Sequence, residues 1–166
     1  MPEEVLIHTI GHSDHETADF VDLLRRHGIT LVVDVRSQPY SRWTPQFNRE
    51  TLSRDLQDNG IAYRHMGDVL GGRPTDPSLY DLGEDHPDYE RMEETPVFQS
   101  GIDQVLQVAQ EERIAVMCSE GDYHHCHRHL LITQTLRRRG VRVLHIQPDG
   151  TTVEGELIPK QLSMFG

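Results

Sequence analysis

Apolar residues fall along the chain in short runs that end in polar ones. Val5-Leu6-Ile7-His8-Thr9-Ile10, Leu31-Val32-Val33-Asp34-Val35-Arg36, Ile61-Ala62-Tyr63-Arg64-His65-Met66, Ile114-Ala115-Val116-Met117-Cys118 and Val141-Arg142-Val143-Leu144-His145-Ile146 read as five strands. Near-continuous, β-branched apolar runs suit a sheet covered on both faces. Between the strands the spacing becomes helical. Phe20, Leu23 and Leu24 predict a helix capped by Ser13-x-x-Glu16 and closed at Gly28. Leu52 and Leu56 predict a second, started by Asn48 and closed at Gly60. Phe98, Ile102, Val105, Leu106 and Ala109 predict a third, and residues 125–139 a fourth that closes at Gly140.

Alternating strands and helices imply an α/β fold: a single three-layer, Rossmann-like domain with a five-stranded, mainly parallel sheet. The expected strand order is 3-2-1-4-5. This domain is expected to span residues 1–158, followed by a tail at 159–166. From 67 to 96 the composition turns to Gly, Pro, Asp and Tyr without periodicity, so the segment reads as an irregular insert: a lid, a binding loop or a partly disordered piece.

In a parallel sheet the carboxyl ends of the strands share one rim, where ligands of open α/β folds bind. The expected switch point between the first strand and the Cys118 strand would gather His12, Ser13, Asp34, Arg36, Cys118 and Glu120 there. His12, Asp34, Cys118 and Glu120 are the catalytic candidates: a thiol nucleophile with carboxylates and an imidazole for proton transfer. Arg36, Gly71, Gly72, Arg73 and Arg128 are the ligand-binding candidates, with guanidinium groups to hold phosphate or carboxylate. Cys118, Cys126 and His127, joined by a fourth donor such as His12 or Glu120, are the candidate ligands for zinc or iron, although their spacing is not that of a recognised metal knuckle.

Each candidate has a plainer reading beside it. Cys118 ends a buried strand as a small hydrophobe would. Cys126, near a helix start that favours thiolate, becomes inert if buried. Asp34 and Arg36 share a strand face and can simply pair with each other, and capping accounts for Ser13.

Composition narrows the field. The formal net charge of −11 over 166 residues opposes sequence-blind attraction to nucleic acid, though it leaves room for a local basic groove. Two cysteines, no leader-like segment near Met1 and no apolar run long enough for a bilayer lead to the expectation of a cytoplasmic, reducing setting.

Thr9-Ile10-Gly11-His12-Ser13, Val33-Asp34-Val35-Arg36-Ser37, Pro45-Gln46-Phe47-Asn48, Leu70-Gly71-Gly72, Met117-Cys118-Ser119-Glu120, Cys126-His127-Arg128, His145-Ile146 and Pro148-Asp149-Gly150-Thr151 together resemble the domain-of-unknown-function family numbered 488. The resemblance implies a compact α/β domain and places His12, Asp34, Arg36, Gly71, Gly72, Cys118, Glu120, Cys126, His127 and Arg128 at motif positions. It implies no substrate. Val33-Asp34-Val35-Arg36 with a later strand-end cysteine also looks like the rhodanese pattern, but Arg128 stands farther from Cys118 than the arginine of a phosphatase loop does from its cysteine.

Near the end of the sequence, Gln161-Leu162-Ser163-Met164-Phe165 resembles the short peptide with which bacterial repair and replication proteins bind the DNA sliding clamp. Leu162, Met164 and Phe165 would enter an apolar groove while Gln161 supplies a polar anchor. The plainer reading is an apolar terminus packed on its own domain. The sequence thus leads to an enzyme acting on a nucleotide or nucleic acid, in DNA repair by the tail. The alternatives are a non-catalytic anion or metal sensor, and a thiol enzyme of rhodanese or phosphatase type.

Overall fold

In the computed structural model, which describes residues 5–158, six strands form one sheet. They are β1 (Leu6–Gly11), β2 (Leu31–Asp34), β3 (Ala62–His65), β4 (Ile114–Cys118), β5 (Arg142–Ile146) and β6 (Thr152–Glu154). The α/β expectation holds, but the order is β3-β2-β4-β1-β5-β6 rather than 3-2-1-4-5. Every pair is parallel except β5 with β6.

The correction has a physical reason. Crossovers of parallel strands have a fixed hand, but nothing local fixes how many positions they skip. The crossover through α1 (Thr17–Arg26) leaves a gap between β1 and β2, and the long connection after β3 carries the chain back over β2 to fill it with β4. β4 is buried at every position and suits the interior; β3, alternately exposed and half-buried, suits an edge. β6 follows an Asp149-Gly150 turn whose glycine adopts φ 91°, a hairpin signal attached to too short a run to stand out.

Helices cover both faces. α1 and α2 (Arg49–Asp58) bury Phe20, Leu24, Leu52 and Leu56 against Val32, Ala115 and Met117. On the other face, α3 (Gly67–Leu70), α4 (Tyr89–Glu94), α5 (Pro96–Val108) and α6 (Gln134–Arg138) bury Leu70, Met92, Phe98, Ile102 and Leu136 against Val33, Val116 and Val143. Each fully buried Leu or Phe contributes about 1.5–3 kcal/mol. The 67–96 segment holds α3, a 3-10 turn at Pro77–Leu79 and α4, and its Leu70, Leu79 and Met92 join the core, which ties it to the body.

Local details depart from expectation at three places. Ser13 does not cap α1: it lies in the left-handed region at φ 50°, and the helix starts after Glu16 without a side-chain cap. Asn48 stands at the start of α2 but turns its Oδ1 to the Ser41 amide, 2.7 Å away. The expected helix at 125–139 divides into a 3-10 turn at Tyr123–His125, a π-helix at Arg128–Thr133 and then α6. Inside the wide π turn, Thr133 Oγ1 donates to the Arg128 carbonyl and Gln134 Nε2 to that of His129. The clamp-like peptide Gln161–Phe165 lies outside the described residues.

Candidate functional site

Register builds the site. Gly11 is level with Cys118, and Asp34 with Met117 and His65, so β1, β2, β3 and β4 end at one rim. The chain leaving β1 stays bonded to the chain leaving β4: His12 N–H donates to the Cys118 carbonyl and Ser13 N–H to that of Ser119, each at 2.9 Å. Gly11 permits this approach, because a Cβ there would lie 1.6 Å from the Glu120 carbonyl oxygen. A crevice of about 330 Å³ opens beside them, lined by Arg36, Gly72, Arg73, Cys118, Glu120, Cys126 and His127 among others.

Two sulfurs lie at its floor. Cys118 Sγ receives Nε–H of Arg128 at 2.9 Å and the thiol of Cys126 at 2.8 Å. Burial by itself would raise the Cys118 thiol, but the hydrogen bond from Cys126 and the charge and hydrogen bond of Arg128 outweigh it and bring it down to about 7. Cys126 goes the other way. Its hydrogen bond to Cys118, then burial and the charge on Cys118, push its thiol up. Of the two, Cys118 is the more readily ionised, and Cys126 follows the plainer reading of a buried, inert thiol.

Arg128 is 0% exposed, so it does not reach out to a ligand. Its Nη2 donates to the Glu120 and Gly121 carbonyls and its Nη1 to Thr9 Oγ1. No carboxylate meets it among the described residues. A chain of tautomers follows. Arginine can only donate, so Thr9 Oγ1 accepts from it and must give its own proton to His145 Nδ1, 2.6 Å away. The proton of His145 is then on Nε2, which donates to His129 Nδ1 at 3.2 Å. Burial, reinforced by Arg128, lowers His145 to about 3 and keeps it neutral. Tyr123 stacks on His145 with ring centroids 4.1 Å apart. Thr9, His129 and His145 were not singled out as site residues in the sequence. For Thr9 and His145 the signal was polarity inside an apolar strand rather than at its end; His129, on the π-helix, offered none.

The other predicted cluster sits behind the crevice. Asp34 is fully buried; its carboxylate accepts Nε and Nη2 of Arg36 and the hydroxyl of Tyr63, whose own ionisation burial and that carboxylate push up. Arg36 also gives Nη2 to the Phe47 carbonyl and Nη1 to His12 Nε2 at 3.3 Å. Four of its five N–H groups are thus engaged, leaving one on Nη1. His12 stacks on Phe47 and donates Nδ1–H to the Ser13 carbonyl at 2.7 Å. The left-handed Ser13 presents that carbonyl, and burial lowers His12 to about 4. His12 and Asp34 therefore brace Arg36 and do not line the crevice, whereas Glu120 does, with its residue exposed.

The description "Domain of unknown function DUF488" matches residues 16–135. The chain belongs to the DUF488 family. No curated protein and no solved structure matches it. The span matched to DUF488 contains Asp34, Arg36, Cys118, Cys126 and Arg128, while Thr9, His12 and His145 lie outside it.

In this DUF488 protein, Gly71 is buried and close-packed: a Cβ there would lie 2.3 Å from the Gly67 carbonyl oxygen and from Ser37 Oγ. Gly72 lines the crevice, and the His127 ring presses on it. Arg73 is exposed on the wall, with Nη1 donating to the Asp85 carbonyl. Cys118, Cys126 and His127 do not close a metal site in this arrangement. The Arg128 cation sits on Cys118, His127 turns Nε2 to the Leu70 carbonyl at 3.1 Å, and burial lowers His127 to about 4. Among the described residues, the three donors within 4.8 Å of one another are the exposed Glu84, Asp85 and His86. No described helix is long and apolar enough to cross a membrane.

Proposed function

We propose that this DUF488 protein is a thiol enzyme, a hydrolase or group transferase that attacks an anionic substrate with Cys118. One observation carries the reading: Arg128, fully buried and without a carboxylate, meets Cys118 Sγ at 2.9 Å. A buried guanidinium needs a counter-charge, and the thiolate is the anion in reach. The Cys118 sulfur gives its electron pair to the electrophilic centre; the sulfur–substrate bond forms as the leaving group departs with the other pair. Water or a second acceptor, losing its proton to Glu120, then breaks that bond and the thiolate returns. The remaining Nη1–H of Arg36 and the Arg73 guanidinium supply positive charge for the substrate. A nucleotide or nucleic-acid phosphate suits that charge, with DNA repair as the setting.

Alkylation by iodoacetamide across pH, read by peptide mass spectrometry, tests it. Cys118 should label with a midpoint near 7 while Cys126 stays unlabelled. Labelling of Cys118 only in alkaline solution sinks the reading and leaves an anion-binding module.

The 2.8 Å contact of the sulfurs favours a second reading, exchange with a disulfide substrate. The Cys118 thiolate would attack one substrate sulfur and release the other as a thiolate; Cys126, deprotonated, would then attack Cys118 Sγ, release the second thiol and leave a Cys118–Cys126 disulfide that an external dithiol reduces before the next round. Cys126→Ser abolishes that turnover but not attack by Cys118. Clamp binding by Gln161, Leu162, Met164 and Phe165 is a separate proposal. An unchanged anisotropy titration of the clamp with Phe165→Ala removes it.

A further inference from the structure

Beside the crevice, a second groove of about 550 Å³ is lined by Arg49, Arg54, Arg64 and His65. Its position is the rim again, since Arg64 and His65 end β3 and Arg49 begins α2. The three arginine side chains are exposed and have no hydrogen-bond or ion-pair partner among the described residues. That is unexpected in a chain with 27 acidic residues against 16 basic ones. Elsewhere Arg26, Arg36, Arg91, Arg138, Arg139 and Arg142 each hold a carboxylate. Glu50, the acid on the groove, takes the Tyr40 hydroxyl at 3.3 Å. A positive groove has been left open in a negative protein.

Two further features join it. His65 Nε2 contacts the Arg36 carbonyl at 2.9 Å, and Arg36 lines the crevice, so groove and crevice abut. Tyr40 and Trp43, on the loop that runs from the crevice to α2, are 56% and 80% exposed, with the Arg42 guanidinium 4.8 Å from the Trp43 ring centroid. Arginines that track a backbone and an exposed ring on which a base can stack are how single strands are held without reading sequence. A long duplex would meet the repulsion of the whole acidic molecule; a short strand need not.

We infer that this groove binds single-stranded nucleic acid and leads its backbone to the crevice. This names the substrate class for Cys118 and rests on the thiol reading for the chemistry; the binding stands or falls alone. Fluorescence anisotropy of a labelled oligothymidine against the full chain tests it. Arg49→Ala and Arg64→Ala should each weaken binding and lower the slope of log K against log salt by about 0.7. Trp43→Ala should weaken it at least about fivefold. All three are surface changes, so an unchanged thermal midpoint and an unchanged Cys118 alkylation midpoint certify the fold and the crevice. No binding, binding indifferent to these residues, a duplex bound as well through the same arginines, or a mononucleotide that competes as well as the strand overturns the inference. Strand binding with an unreactive Cys118 keeps this inference and sinks the thiol reading; a reactive Cys118 without strand binding does the reverse.

Discussion

Two arginines are buried at the rim of this sheet, on opposite faces, and they are neutralised differently. Arg36 lies 2.8 Å from the carboxylate of Asp34, which also accepts the Tyr63 hydroxyl. Arg128 has Thr9, two carbonyls and Cys118. Its charge is balanced only while a thiol is ionised. The first arrangement is an ion pair within the crevice wall; the second ties the balance of a buried cation to the ionisation of a thiol. The contrast separates a pair that holds the crevice wall from the pair on which the proposed thiol chemistry rests.

The largest way to break the contrast is Asp34→Asn. It strands Arg36 as a buried unpaired charge and should cost about 3–5 kcal/mol in denaturant unfolding. If the loss is under about 1 kcal/mol, the pair is not the brace described here. Next is Arg128→Met, which should return Cys118 toward an ordinary thiol and slow its alkylation at pH 7 about tenfold for each unit regained. Arg128 would be merely structural if the alkylation midpoint stayed near 7 in a folded variant.

Acid should probe both arrangements at once. His8, His12 and His127 sit at about 4 and His145 at about 3, all below the ordinary 6.5 because burial disfavours their charged forms. The unfolded chain therefore binds more protons between 6.5 and these values, so the stability these histidines contribute is full above 6.5 and falls as pH drops through that window. Each group contributes up to about 1.4 kcal/mol per pH unit. Cys118 acts in the same direction over a higher window: its folded value of about 7 lies below the 9 of a free thiol, so its contribution falls as pH drops from about 9 to about 7, where protonation leaves Arg128 unpaired. A thermal midpoint flat from pH 7 to 5 contradicts this account. The smallest effect is Ser13→Gly. It relieves the left-handed backbone at φ 50°, keeps the carbonyl that holds His12, and should stabilise by about 0.5–1 kcal/mol without moving Cys118 reactivity.

Much of the frame was legible. Strand ends at His12, Asp34 and Cys118 follow from short apolar runs, and the closing of helices at Gly28 and Gly60, with φ 68° and 78°, from local glycine chemistry. Ser13 misled, because a capping box is a local pattern and here the bond of Ser13 N–H to Ser119 set the backbone instead. The place of β4 was invisible because periodicity shows that a strand is buried, not beside which strand it lies.

The sequence by itself determined the alternation of strands and helices, the shared rim and the residues delivered to it, since side-chain period and turn preference act over a few neighbours. Tertiary structure decided which sulfur ionises more readily, which arginines line the crevice and which is walled in, and that Thr9, His129 and His145 stand behind Arg128. Those outcomes depend on desolvation and on charges brought within about 3 Å across the fold, and both exist only once the chain has packed.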